Sequence, residues 1–97
     1  MRRSDVLEVL RAHADELCRD FDVASLRLFG SIARDEGCDA SDVDLLVGFS
    51  LQPSFRQFMR LRIRLEDLLG APVDLVTETG LKPAVRRYVE EDAIAVA

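Results

Sequence analysis

The sequence predicts a small α/β fold, in which helices pack on one or both faces of a mixed sheet. Two long segments carry apolar residues at three- and four-residue spacing, which predicts amphipathic helices. Short apolar runs that end at polar residues or glycine predict strands. The resulting order of elements is α-β-(short α)-β-α-β-α. At 97 residues the chain is expected to form one domain over residues 1–97.

The first amphipathic segment predicts a helix from about Ser4 to Arg19. Ser4 is a suitable N-cap, and Asp20 and Asp22 indicate where the helix ends. Five apolar residues form its seam: Leu7, Leu10, Ala14, Leu17 and Phe21.

Two strands are expected in the middle of the chain. Ala24–Phe29 alternates apolar and polar residues and stops at Gly30, after which residues 31–34 predict a short helical turn and residues 35–41 a loop. Asp42–Phe49 is nearly continuous in apolar residues after Asp44, which is typical of a central strand covered on both faces.

The second half predicts a long helix, a strand and a last helix. Ser54 can cap a helix over Phe55–Leu69, whose seam is Phe55, Phe58, Leu61 (or Arg62), Leu65 and Leu68, and Gly70 ends it. Val73–Val76 is the next predicted strand, residues 77–81 a loop, and Pro83 opens a helix through about Glu91. Residues 93–96 are either a short edge strand or a frayed end.

Composition excludes several classes of function. The net charge of −5 argues against general nucleic-acid binding, which needs an excess of Lys and Arg. No apolar run approaches the roughly 20 residues of a membrane span, so we expect a cytoplasmic protein. One histidine, His13, cannot build a His-based metal site or triad. Cys18 and Cys38 lack CxxC spacing and are expected to be reduced packing or loop residues.

Three aspartates carry the clearest chemical signal. Asp42 and Asp44 are two apart on a predicted strand, so their carboxylates point to the same face. Asp74 lies in a second apolar strand and can converge with them if the strands are neighbours. Like-charged carboxylates repel, and a divalent cation relieves that cost, with Mg²⁺ favoured and Mn²⁺ possible. Such a triad can hold two metal ions for phosphoryl or nucleotidyl transfer, with Asp74 helping to deprotonate the nucleophile.

Gly30 and Ser31 fit the same chemistry, because they lie between a strand end and a helix start. Glycine lets a phosphate approach the backbone, and free N–H groups and the Ser31 hydroxyl can bind its oxygens. Ser31 could equally serve only as an N-cap. Arg34, one turn on, is expected either to reach a triphosphate or to brace the loop.

These residues resemble the signature of the minimal nucleotidyltransferases of the DNA polymerase beta superfamily. The pattern is Gly-Ser, about ten residues, then Asp-x-Asp, matched here by Gly30, Ser31, Asp42 and Asp44. The family's third acidic residue lies on a later strand, which matches Asp74. The family often has glycine after Ala-Arg where this chain has Asp35, and Asp tolerates a left-handed turn better than most residues.

The resemblance implies the nucleotidyltransferase fold, ATP as substrate and two Mg²⁺ ions. Proteins of this size in the family resemble antitoxins paired with HEPN ribonuclease toxins. They are implied to transfer AMP from ATP to a toxin tyrosine. Two alternatives stay open: a non-catalytic antitoxin that masks its toxin, and a small-molecule nucleotidyltransferase of the aminoglycoside type.

An arginine stripe on the second long helix has no assigned role. Arg56, Arg60 and Arg64 recur every four residues. A solvated face is expected, with Arg62–Glu66 and Arg64–Asp67 as local ion pairs, and a contact for phosphates or an acidic partner is the alternative.

Overall fold

The computed structural model describes residues 2–36 and 42–96. Its helices are α1 (Arg3–Ala12), α2 (Ala14–Phe21), α3 (Gly30–Ala33), α4 (Phe55–Leu69) and α5 (Pro83–Asp92), with a 3₁₀ turn at Glu78–Gly80. Its strands are β1 (Val23–Phe29), β2 (Val43–Phe49), β3 (Val73–Thr77) and β4 (Ile94–Ala95). This confirms the predicted mixed α/β architecture.

The described strands form one sheet in the order β3-β2-β1-β4. β2 pairs antiparallel with β1 and parallel with β3, and β4 pairs antiparallel with β1. A parallel pair needs a long crossover connection, which α4 supplies between β2 and β3. The first residues of β2 and β3 therefore lie at the same end of the sheet, where β1 ends.

The main core lies between one face of the sheet and helices α1, α2 and α4. Fully buried leucines from these helices, Leu10, Leu17, Leu61 and Leu65, pack against alternate residues of the strands. Leu46 of β2 and Val89 of α5 are also buried but lie outside this cluster, since α5 packs against β1. β2 is thus covered on both faces, as its apolar sequence predicts.

The prediction of one helix over Ser4–Arg19 was wrong at two points. The helix is interrupted at His13, whose backbone (φ −112°, ψ 12°) separates α1 from α2. The His13 ring nitrogen Nδ1 lies 2.9 Å from the Val9 carbonyl, so a side chain competes for a helical acceptor. Arg2, not Ser4, is the N-cap, and its N–H donates to Asp5 Oδ2 at 3.1 Å.

The predicted ends of α4 are confirmed. Ser54 Oγ accepts a hydrogen bond from the Gln57 N–H at 3.1 Å, and Gly70 closes the helix with φ +63°. Its seam differs at one residue, because Phe55 is 79% exposed and Leu69 takes the buried position at the other end.

β4 confirms the edge-strand alternative for residues 93–96.

Asp35 adopts the left-handed conformation (φ +61°), which the sequence comparison with the family's glycine predicts for this position. The rest of the predicted loop, residues 37–41 with Cys38, lies outside the described residues. Cys18 is an exposed free thiol on α2, so the prediction of a packing or loop residue was wrong for it. Among the described helices, none has the length and apolar character that crossing a membrane requires.

Candidate functional site

Asp44 and Asp74 lie directly beside each other on neighbouring strands. The parallel register of β2 and β3 pairs Asp44 with Asp74, so both side chains project from the same face of the sheet. Adjacent strands are about 4.8 Å apart, which brings the two carboxyl groups within reach of one another. Asp44 is half-buried and Asp74 is exposed. The predicted convergence of these two strands is therefore present.

Asp42 immediately precedes β2, two residues before Asp44, and is exposed. The Val43 N–H that follows it donates to the Pro72 carbonyl at 2.9 Å, which ties the start of β2 to the start of β3. The three aspartates thus come from the same end of two paired strands. Within residues 2–36 and 42–96, however, no three acidic, histidine or cysteine side chains form a compact metal-binding group.

The pKa of Asp44 is raised from its ordinary value of 3.8 to about 6. Burial is the largest cause, followed by the negative charges of Asp74 and Asp42 and a hydrogen bond to Asp74, and the Arg34 guanidinium opposes them. The charged form of Asp44 is therefore costly without a neighbouring cation.

Gly30 allows Asp44 to occupy its position. A Cβ at residue 30 would lie 2.9 Å from Asp44 Cγ and closer still to Oδ2, and the backbone has φ +78°. Both features require glycine. The last residue of β1, Phe29, pairs with Asp44 across the antiparallel ladder, so the glycine that follows is brought against the carboxylate. The structure therefore joins Gly30 to the aspartates.

Ser31 lies in the first turn of α3 and is half-buried. Phe29 is the N-cap of this helix and makes no side-chain capping bond, so Ser31 does not cap α3. Ser31 is thus held beside Gly30 at the end of β1.

Arg34 follows α3 and makes two ion pairs. Its Nε donates to Glu36 Oε2 at 3.0 Å and its Nη1 to Asp92 Oδ2 at 2.8 Å. Through these two ion pairs Arg34 braces the loop after α3 against α5, which is one of the two roles predicted for it. Its charge still acts on Asp44.

The carboxylates fit a hard divalent cation. Mg²⁺ commonly binds through one or two carboxylates plus substrate phosphates rather than in an all-protein cage. Asp44, whose pKa is raised by burial and by the charge of Asp74, forms with Asp74 a suitable partial ligand set, even though the described residues hold no compact group of three.

Residues of α4 also border the site. Phe58 and Arg62 line a cavity together with Asp42 and Asp74. The sequence assigned Phe58 to the helix seam and Arg62 to a pair with Glu66, and neither assignment predicts this contact. Only the packing of α4 against the β3 edge places them there, so no local sequence signal could have found them.

The predicted local ion pairs of α4 are present, with Arg62 Nε 3.9 Å from Glu66 and Arg64 Nη1 2.8 Å from Asp67. Arg64 also binds Glu16 of α2 through two hydrogen bonds of 3.0 Å. This network lowers the pKa of Glu16, chiefly through its hydrogen bond with Arg64. Arg60 lies 5.7 Å over the Phe21 ring.

Comparison with known proteins agrees with this geometry. The chain is 39% identical over 92 residues to the protein adenylyltransferase MntA of Thermococcus cleftensis, covering 95% of this chain and 93% of that protein. It is 40% identical over 94 residues to a proposed protein adenylyltransferase of Methanocaldococcus jannaschii, covering 96% of each.

Solved structures share the fold. A proposed minimal nucleotidyltransferase superposes with a TM-score of 0.82 at 39% identity, covering 97% of this chain and 95% of that one. A toxin–antitoxin complex with AMP-PNP superposes with a TM-score of 0.75 at 21% identity, covering 90% of this chain and 72% of that one. The latter likeness concerns the fold alone.

The sequence profile of the nucleotidyltransferase domain matches residues 10–96, which include every candidate site residue. Together with the apposed aspartates and the glycine against which Asp44 packs, this match shows that the chain belongs to the nucleotidyltransferase domain family.

Proposed function

We propose that this chain transfers AMP from ATP to a tyrosine hydroxyl of a HEPN-type toxin and thereby acts as an antitoxin. The observation that carries the proposal is the apposition of Asp44 and Asp74 beside Gly30. Support also comes from relatives named protein adenylyltransferase and from a solved complex of a tri-AMPylated HEPN toxin with its MNT antitoxin, from Shewanella oneidensis, which has a similar fold (TM-score 0.68).

The reaction is a nucleotidyl transfer at the α-phosphorus of ATP. The acceptor oxygen forms a bond to this phosphorus, the bond to the β-phosphate oxygen breaks, and pyrophosphate leaves. The hydroxyl proton passes to Asp74, the carboxylate of the outer strand. Gly30 N–H and the Ser31 hydroxyl bind phosphate oxygens, and Arg34 adds a positive charge beside them.

Asp42, Asp44 and Asp74 would hold two Mg²⁺ ions, with Mn²⁺ as a substitute. Bound there, the metal ions would activate the acceptor and neutralise the triphosphate. Without them, burial and then the neighbouring negative charges disfavour the ionised form of Asp44, which is the effect seen in its raised pKa. The protein's contribution is to keep the three carboxylates at one end of two paired strands.

The partner is a protein, and the reaction belongs in the cytosol, where ATP is abundant. The net charge of −5 fits a protein that does not itself bind nucleic acid. The partner protein supplies the acceptor hydroxyl when it binds at the catalytic face of the small sheet. Holding the acceptor in this complex makes the transfer effectively unimolecular.

Co-expression with the partner toxin, followed by intact mass spectrometry of the toxin, tests this function. We expect a mass increase of one or more AMP units with the wild-type chain and with Glu91→Gln, an exposed carboxylate of α5. Asp44→Asn should abolish the increase. Neutralisation without any mass change would instead identify a masking antitoxin. Labelling of an aminoglycoside by the purified chain would identify a small-molecule nucleotidyltransferase.

A further inference from the structure

A cavity of about 240 Å³ lies at the outer edge of β3, next to the paired aspartates. Its lining combines two candidate catalytic aspartates, two residues of α4 and apolar residues of the strand and its entry: Asp42, Asp74, Phe58, Arg62, Pro72 and Leu75. The volume is below the roughly 300–1,000 Å³ of pockets that hold drug-sized ligands. It suits one side chain better than a whole nucleotide.

Arg62 lines this cavity with a side chain that is 43% exposed. Its Nε is buried and has no acceptor among the described residues. Glu66 Oε1, at 3.9 Å, is beyond hydrogen-bond distance, and Glu66 Oε2 instead accepts the Val73 N–H at 3.0 Å. A buried N–H without an acceptor is uncommon in folded proteins, so no short hydrogen bond at Nε holds this guanidinium in place within the described residues.

Phe58 is the second side chain of α4 that could contact a group bound in this cavity. It is half-buried, packs against the main core and lines the cavity one helical turn before Arg62. An aromatic ring and a guanidinium four residues apart on a helix lie on the same face. Aromatic side chains pack favourably against both groups.

The position of the cavity separates it from the phosphate-binding residues. Across the sheet, Gly30 and Ser31 follow β1, Asp44 lies on β2, Asp74 on β3, and the cavity beyond β3. If the triphosphate lies on the β1 side, an acceptor that meets Asp74 must enter from the opposite side. The cavity is on that side.

We infer that this cavity binds the acceptor tyrosine of the protein partner, with its ring against Phe58 and with the Arg62 guanidinium donating to an oxygen of the acceptor segment. This inference rests on the proposed function and names its acceptor site. Phe58 and Arg62 are binding residues for the acceptor and take no part in holding ATP.

Steady-state labelling of the purified toxin tests the inference, with Arg62→Met as the variant and Arg56→Met as the matched control. Both arginines lie on α4, but Arg56 is exposed and does not line the cavity. We expect Arg62→Met to lower kcat/KM for the toxin about 10-fold, the effect of losing a charged hydrogen bond. The KM for ATP should stay within about twofold of the control.

Phe58→Leu provides a second variant in case Arg62→Met does not fold, as judged by circular dichroism. It should also lower kcat/KM for the toxin without changing the KM for ATP. Replacing the labelled toxin tyrosine by serine should abolish labelling although a hydroxyl remains.

Three results would overturn the inference and leave the proposed function standing. Equal kcat/KM values for Arg62→Met and Arg56→Met would remove Arg62 from acceptor binding. A raised KM for ATP in Arg62→Met would assign the cavity to the nucleotide. Efficient labelling of the serine variant would exclude an aromatic pocket. Absence of toxin labelling by the wild-type chain would overturn the proposed function itself, and the acceptor site with it.

Discussion

The Asp44 carboxylate fills the space that a side chain at residue 30 would occupy. Gly30 is the first residue of α3, directly after β1, and Asp44 lies on β2, 14 positions further along the sequence; their contact depends on the antiparallel pairing of β1 with β2. The glycine of the Gly-Ser motif therefore has a packing role besides any contact with phosphate. It lets the half-buried carboxylate lie against the backbone where α3 begins.

Gly30→Ala should displace Asp44 and lower the transfer rate about 100-fold, which is typical of a displacement near 1 Å at a reacting group. Gly70→Ala is the matched control, because Gly70 also has a positive φ (+63°) but nothing within 4 Å of an added Cβ. Both variants should lose about 1–2 kcal/mol of stability from the left-handed backbone. Toxin labelling and thermal melts measure the two effects. Full activity in Gly30→Ala would contradict this account of the glycine.

The pKa of Asp44 gives a pH-dependent prediction. NMR titration of the protein without Mg²⁺ should show Asp44 titrating near pH 6, the value to which burial and then the charges of Asp74 and Asp42 raise its pKa. Asp74→Asn should lower this midpoint, because it removes the largest charge contribution. A midpoint near 4 in the wild-type protein would show that Asp44 is neither buried nor apposed to Asp74 in solution.

Asp44→Asn should stabilise the metal-free protein while abolishing transfer. The folded state holds the Asp44 proton more tightly than the unfolded state, so the free energy of unfolding falls as the pH rises from about 4 to above 6. After allowance for solvent screening of a half-exposed carboxylate, the variant should gain about 1 kcal/mol at pH 8.

That gain corresponds to about 4–8 °C in Tm for a domain of this size. At pH 4, where Asp44 is protonated in the folded protein, the gain should vanish. The control Glu91→Gln changes an exposed carboxylate and should leave Tm unchanged at both pH values. A destabilised Asp44→Asn at pH 8 would be inconsistent with charge repulsion at this site.

Arg34 and Asp92 are expected to affect ATP binding together. If Arg34 contacts the triphosphate, Arg34→Ala should raise the KM for ATP about 10-fold. Asp92→Asn removes the 2.8 Å ion pair that positions Arg34 and should raise the KM for ATP by a smaller factor than Arg34→Ala does. Asp92→Glu keeps a carboxylate at this position, so the KM for ATP should be close to the wild-type value. If both variants lower Tm and leave the KM for ATP unchanged, Arg34 only braces the loop against α5.

Most helices and strands could be predicted from the sequence, because the signals for them come from residues that are close together in the chain. The cap at Ser54, the glycine stop at Gly70 and the apolar run of β2 each depend on a few neighbouring residues. The break at His13 was missed because the apolar spacing continues through it, while a side-chain contact with the Val9 carbonyl interrupts the helix. The apolar spacing also predicted that Phe55 faces the core. Phe55 is the first residue of α4 and is exposed, because this end of the helix lies outside the core.

The site was predictable as a set of residues but not as an arrangement. The Gly-Ser and Asp-x-Asp motifs and the lone aspartate of β3 predicted Gly30, Asp44 and Asp74, which lie together in the structure, and their chemical roles stay predictions. Their apposition needed the β2–β3 register, which is set by packing between distant segments. The Arg34–Asp92 pair spans 58 positions, and the cavity beside Asp74 depends on how α4 lies over β3. No local pattern contains that information.

The most direct measurement of the central claim is transfer of label from α-³²P-ATP to the purified toxin by Asp44→Asn, Asp74→Asn and the double variant. Residues that act as one unit have non-additive effects. Each single variant should fall about 100-fold or more below the wild-type rate, and the double variant should fall no further than the worse single one. Labelling by Asp74→Asn at the wild-type rate, or losses that multiply in the double variant, would contradict a single site built from these two aspartates.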